Sequence, residues 1–213
     1  MKVIFEDNHL LVVEKPINIP MQEDESKDLD LLSECKQYLK EKYNKPGNVY
    51  LGLVHRLDRP VSGVCVFAKT SKAASRLAKQ IQDHSFKKTY LAVVENNNLD
   101  ENGHFEDYLL KDTKNNIVKV DKKGKLAILD YEVLKRSNDL ALVKINLKTG
   151  RSHQIRVQFS SRNYALWGDQ KYNPKAIVGE QIALHSYQLI FNHPVSGEQL
   201  CFTSKPNRKP FDI

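Results

Sequence analysis

The chain has 213 residues, 40% of them hydrophobic and 28% charged, the balance of a soluble globular protein with one good core. No apolar run approaches the roughly 18 residues of a membrane helix, and Glu6 and Asp7 interrupt the N-terminus before a secretory core could form, so a cytoplasmic protein is expected. The net charge of +7 favours polyanionic partners, nucleic acid first, although a basic solvated surface would read the same way.

Lys2–Phe5 and Leu10–Glu14 read as short strands around an Asp7-Asn8 turn, closing on Lys15-Pro16. Met21–Asp28 is acidic and aperiodic, hence a loop. Leu31, Leu32, Cys35, Tyr38 and Leu39 recur at helical spacing and predict a helix over Asp30–Tyr43. Apolar runs at Val49–Val54 and Val64–Ala68 predict two strands with a polar loop between them. Thr70 or Ser71 caps a second helix, with Ala74, Leu77, Ala78 and Ile81 on its buried stripe. Lys88–Glu95 returns to strand, and Phe105–Leu147 holds three or four strand-like runs. Ser152 caps a short helix through Ser160. Ile182–Phe191 and Gln199–Phe202 close the chain as a hairpin. Cys35, Cys65 and Cys201 are odd in number and lack any paired Cys/His motif, so buried free thiols are expected, with neither a disulfide frame nor a metal site. The order is strand-rich with interspersed helices. It predicts one α+β domain with a largely antiparallel sheet and no splitting linker.

Three polar clusters carry candidate chemistry. His55-Arg56-Leu57-Asp58-Arg59 lies between the two apolar runs, where a loop held by rigid elements favours a functional site. Asp58 has a cation on either side, which keeps a carboxylate ionised. The second cluster is Lys148–Arg156. Gly150 permits a turn, Ser152 opens a helix, and Arg151, His153 and Gln154 surround its N-terminus, with Arg156 one turn on. That is either a phosphate seat or a capped surface helix with solvated arginines. The third is Lys87–Val94, where alternation puts Lys88, Tyr90 and Ala92 on one face. A Tyr there either stacks on a base or fills the core.

Together HRLDRPVSG, KKTYLAVVE and LKTGRSHQIRVQF with GDQKY resemble, in order and spacing, the RluA-type RNA pseudouridine synthases. The opening IFEDNHLLVVEKP and the closing LHSYQLIFNHPVSGEQLCF resemble the ends of that catalytic domain. The resemblance implies a pseudouridine synthase fold over residues 1–213: a mixed, largely antiparallel sheet, flanking helices and a central RNA-binding cleft. It implies isomerisation of uridine to pseudouridine in structured RNA, ribosomal or transfer, by flipping the base out, breaking the glycosidic bond and re-joining through C5. No electron is transferred and nothing is hydrolysed overall, so no cofactor or metal is expected.

By the same resemblance Asp58 is the catalytic aspartate, acting at the sugar. Tyr90 stacks on the target base, and Arg156 pairs with the aspartate as a bidentate partner. Arg56 fills the space left by the flipped nucleotide. His55, Arg151, His153, Gln154 and Lys171 are the further RNA-binding candidates, of which Arg151, His153 and Gln154 seat RNA or brace the cleft. Tyr172 is assigned to the core. Val61, Gln158 and Asn163–Trp167 depart from the family pattern without touching these positions. No S4-like module is expected in front of the domain, which leaves target choice to loops such as Met21–Asp28 and the hairpins between Phe105 and Leu134. A monomer without an obligate protein partner is expected.

Overall fold

The computed structural model describes all residues from Met1 to Ile213. The first half runs β1 (Lys2–Glu6), β2 (Leu10–Lys15), α1 (Leu31–Lys42), β3 (Gly52–Leu53), β4 (Ser62–Ala68) and α2 (Ser71–Gln82). Then come β5 (Lys87–Glu95), β6 (Asn102–Asp112), β7 (Ile117–Val120), β8 (Lys125–Ser137) and β9 (Leu140–Leu147). The chain ends with α3 (Gln154–Ser160), β10 (Leu184–Asn192) and β11 (Gln199–Thr203). It divides into two compact units, Met1–Lys87 with Gln188–Ser204, and Lys88–Tyr187 with Lys205–Ile213.

In the first unit β2 pairs antiparallel with β1 and with β4, the latter from Leu10↔Ala68 to Lys15↔Gly63. All seven residues of β4 are buried. Its unbroken apolar run is the pattern of a strand covered on both faces. Val12, Val64, Val66, Leu77 and Phe191 form the core with Phe86, whose ring stacks on Phe191 at 4.9 Å. Asp30 caps α1 by accepting the Ser33 N–H at 3.0 Å, and Thr70 caps α2 through the Ala73 N–H at 3.1 Å. Ala73 and Leu77 form the buried stripe of α2; Ala78, placed there by the sequence reading, is exposed. The strand expected over Val49–Val54 shrinks to Gly52–Leu53, with Tyr50 exposed. Cys35 and Cys65 are buried free thiols as expected, but Cys201 sits on the exposed side of β11.

In the second unit β5 pairs antiparallel with β9 along its length, from Lys88↔Leu147 to Glu95↔Leu140. On its other side the Val93 N–H donates to Ala183 O, just before β10. β8 joins β9 to β6, and β7 continues the pairing with β6. The Phe105–Leu147 region therefore forms four strands, and the largely antiparallel α+β expectation is met. Phe105, Tyr131 and Phe159 pack edge-on or tilted at 5.0 to 5.5 Å, fixing α3 against the sheet.

The start of α3 differs from the sequence reading. Its N-cap is His153, in the left-handed region at φ 50, and not Ser152. The reversed residue breaks the chain between Ser152 and the helix, leaving the hydroxyl a position too early to cap.

Candidate active site

Asp58 lies in the loop between β3 and β4. Its carbonyl accepts the Val61 N–H at 2.9 Å, closing a turn that feeds straight into β4. Leu57 is buried beneath the loop while Arg56 projects into solvent, its guanidinium donating to Gln22 Oε1 at 3.0 Å. Arg59 turns to the acidic loop, bonding Ser26 Oγ at 2.9 Å and pairing with Asp28 and Asp24. His55, read as an RNA contact, has Nε2 accepting the Val66 N–H at 3.2 Å and its ring against Phe86, which ties it into β4.

The loop is pinned from below by a residue the sequence reading passed over. Lys15, at the end of β2, is fully buried, with 0% exposure. Its ammonium donates to Pro16 O at 3.0 Å, Arg59 O at 2.8 Å and Val61 O at 2.7 Å. Two of these carbonyls, those of Arg59 and Val61, flank Pro60, two residues after Asp58. Burial pushes the Lys15 pKa down to about 8, against the opposing pull of nearby acids that include Asp58. The only sequence signal was a Lys-Pro pair closing an apolar strand.

In the second unit Tyr90 is buried on β5, on the same face as Lys88. Arg156 leaves the first turn of α3 and is buried too. Its Nε and Nη2 donate to Asp169 Oδ2 and Oδ1 at 2.8 and 2.6 Å. The Nε–Nη2 edge is thus held by Asp169, a fully buried carboxylate that the sequence reading did not single out. Asp169 Oδ1 also accepts the N–H groups of Lys171 and Tyr172, so one carboxylate shapes a turn and orients the guanidinium. The Tyr172 ring lies 5.1 Å below that guanidinium, and its hydroxyl bonds His153 Nδ1 at 2.6 Å.

Gln154 takes the bracing option. It is buried, its Oε1 accepts from Thr149 Oγ1 and the Arg151 N–H, and its amide nitrogen donates to Ile128 O and Gln158 Oε1. These bonds fill the space before α3, and the Gln154 N–H itself donates to Arg151 O. Gln158, one of the departures from the family pattern, is likewise spent inside, on Phe105 O, Ala127 O and Asp107. Arg151 remains exposed with Nε on Leu126 O, and Lys171 reaches Asn116 O at 2.9 Å.

Residues 9–161 match the family described as RNA pseudouridylate synthase. The chain belongs to this family. It is 32% identical, over 96% of its length and 69% of the relative's, to "Ribosomal large subunit pseudouridine synthase D" of Zymomonas mobilis. Against "Ribosomal large subunit pseudouridine synthase C" of Buchnera aphidicola the identity is 30%, over 100% of this chain and 68% of that one. Among solved structures it resembles "Human RNA Pseudouridylate Synthase Domain Containing 4", with a TM-score of 0.82 at 22% identity, covering 99% of this chain and 90% of that chain. The fold is thus that of pseudouridine synthases, and the chain is an RNA pseudouridine synthase that isomerises uridine in RNA. No helix of the synthase is long and apolar enough to cross a membrane.

Proposed function

We propose that this synthase acts site-selectively on ribosomal RNA, with residues 1–213 working as one catalytic domain. The names of the relatives support ribosomal over transfer RNA. Asp58 is the catalytic carboxylate, acting at the sugar so that the base detaches from C1′, turns and re-joins through C5; the C5 proton leaves and N1 regains one. Tyr90 carries the base, Arg156 orients the reacting carboxylate, and Arg56 stacks in the gap left by the extruded nucleotide. The enzyme works as a cytoplasmic monomer.

The observation that carries this reading is the build of the Asp58 loop: a buried ammonium fixes the backbone after Asp58, while Arg56 on the same loop stays exposed. A fixed backbone next to the reacting carboxylate, with a solvent-exposed cation beside it, suits base extrusion followed by chemistry at the sugar. The test is tritium release from RNA labelled at uridine C5, taken from cells lacking the gene. The wild type releases tritium and Asp58→Ala does not. Equal release from both removes Asp58 from the chemistry. Release only from transfer RNA overturns the ribosomal assignment.

A further inference from the structure

Lys88, the second residue of β5, carries a charge that the protein does not answer. It is 9% exposed, and its ammonium has neither a hydrogen bond nor an ion pair. Lys15, wholly enclosed, is surrounded by carbonyl oxygens. Burial alone pushes the Lys88 pKa below its ordinary value, with no carboxylate restoring it. An ammonium largely enclosed by protein, with no carboxylate beside it and only a narrow opening to water, is a seat that a ligand anion would fill favourably.

The surroundings show where such an anion would enter. A Cβ at Gly150 would stand 3.0 Å from the Lys88 Nζ, and Gly150 itself is exposed. The missing side chain leaves the ammonium a path to solvent. Lys88 and Tyr90 are two residues apart on one strand, so they share a face with about 6.6 Å between them along the chain. That separation is comparable with one nucleotide from base to backbone.

We propose that Lys88 seats a backbone phosphate of the RNA, at the nucleotide whose base lies on Tyr90. This rests on the role given to Tyr90 above. A compact ammonium with three donors suits a phosphodiester oxygen, and the contact is independent of base sequence.

Wild type, Lys88→Met, Lys88→Arg and Gly150→Ala are compared on the C5-tritiated RNA by tritium release across a salt series, with RNA binding read separately by filter retention. Lys88→Met is expected to raise KM and apparent Kd roughly tenfold with kcat little changed. It lowers the slope of log affinity against log salt by about one. Lys88→Arg restores most of the affinity. Gly150→Ala, which crowds the ammonium without removing it, shifts KM in the same direction and by less. The melting temperature of Lys88→Met equals or exceeds that of the wild type, because an unanswered charge is gone. A lower melting temperature with KM and salt slope unchanged makes Lys88 a structural residue and overturns the proposal. So does a loss confined to kcat that Arg does not rescue, which makes it a proton-transfer group. A wild type that releases no tritium rejects the proposed ribosomal chemistry instead, and the filter-binding slope still decides the phosphate seat.

Discussion

Arg156 gives the Nε–Nη2 edge of its guanidinium to Asp169, with both side chains buried. Because Asp169 also holds the turn at Lys171 and Tyr172, the position of the arginine is coupled to the GDQKY segment. Replacing Asp169 by Asn keeps the size and one acceptor but removes the counter-charge. Taking the Asp169 charge away from a buried guanidinium costs about 3 kcal/mol, a drop in melting temperature of about 6–12 °C for a chain of this size. If Arg156 orients the reacting carboxylate, kcat falls with it, even at a temperature where the variant is fully folded. Thermal melts and tritium release on the same preparation separate the two effects. Unchanged kcat in folded Asp169→Asn would limit the pair to a structural role.

Lys15→Met addresses the pinning of the Asp58 loop. The substitution keeps the apolar stem and removes the donor to Pro16, Arg59 and Val61. Three carbonyls lose their partner, while a costly buried cation is also removed, so the net destabilisation is about 2 kcal/mol. The larger effect falls on kcat, expected to drop at least about tenfold, because the turn after Asp58 loses its fixed backbone. The pH dependence has a definite sign. The folded-state pKa of about 8 lies below the ordinary 10.5, so the unfolded chain binds more protons between those values. Stability from this group therefore rises with pH across that window, and Lys15→Met flattens the rise. Urea midpoints at pH 7.5 to 10.5 for both proteins check it.

The Asp58 loop stood out in the sequence because ionisable residues crowd a short segment between apolar runs, and the structure places it as a loop before β4. The helices at Leu31–Lys42 and Ser71–Gln82 were legible because periodicity and caps agree. Lys15, Asp169 and the particular partners of Gln154 were not, and for one reason. Each acts by satisfying backbone or side-chain groups distant in sequence, as Lys15 does at Val61 and Gln154 at Ile128. Residue type and spacing carry no sign of such long-range partners. The start of α3 was misread because a left-handed His153 has no sequence signature comparable with glycine.

Glu6 provides an acid-stability prediction in the first unit. Burial opposes its ionisation, but bonds from Lys42, Lys69, Tyr43 and Tyr38 outweigh it and bring the carboxyl down to about 2 from the ordinary 4.5. A depressed carboxyl contributes stability that is fully present above 4.5 and lost as pH falls towards 2. Glu6→Gln is expected to be less stable at neutral pH by about 1–3 kcal/mol and to show a shallower loss between pH 4.5 and 2. Parallel acid titrations of the two proteins by circular dichroism would reject the assignment if their slopes coincided.

The last prediction concerns how RNA outside the target nucleotide is held. The ribbon of β6, β7 and β8 places Lys119 opposite Leu110 and Lys125 opposite Leu109, with exposed Lys122 and Lys123 in the turn between. Tyr108 is exposed on the same ribbon at 48%, interleaving an aromatic ring with the cations. The carboxylate nearest in the turn, Asp121, is engaged by Lys119 at 3.2 Å. Such a surface suits a phosphate backbone with an occasional stacked base. Replacing Lys122, Lys123 and Lys125 by Gln together should leave the fold intact and lower the salt slope of RNA binding by about two to three. Binding at moderate salt weakens roughly equally for all RNA sequences. A control carrying Lys40→Gln, Lys72→Gln and Lys79→Gln removes the same charge from exposed positions on α1 and α2. If both triple variants lose slope equally, overall charge rather than this ribbon attracts the RNA. If only the first does, the ribbon is a contact, and its geometry helps select the target.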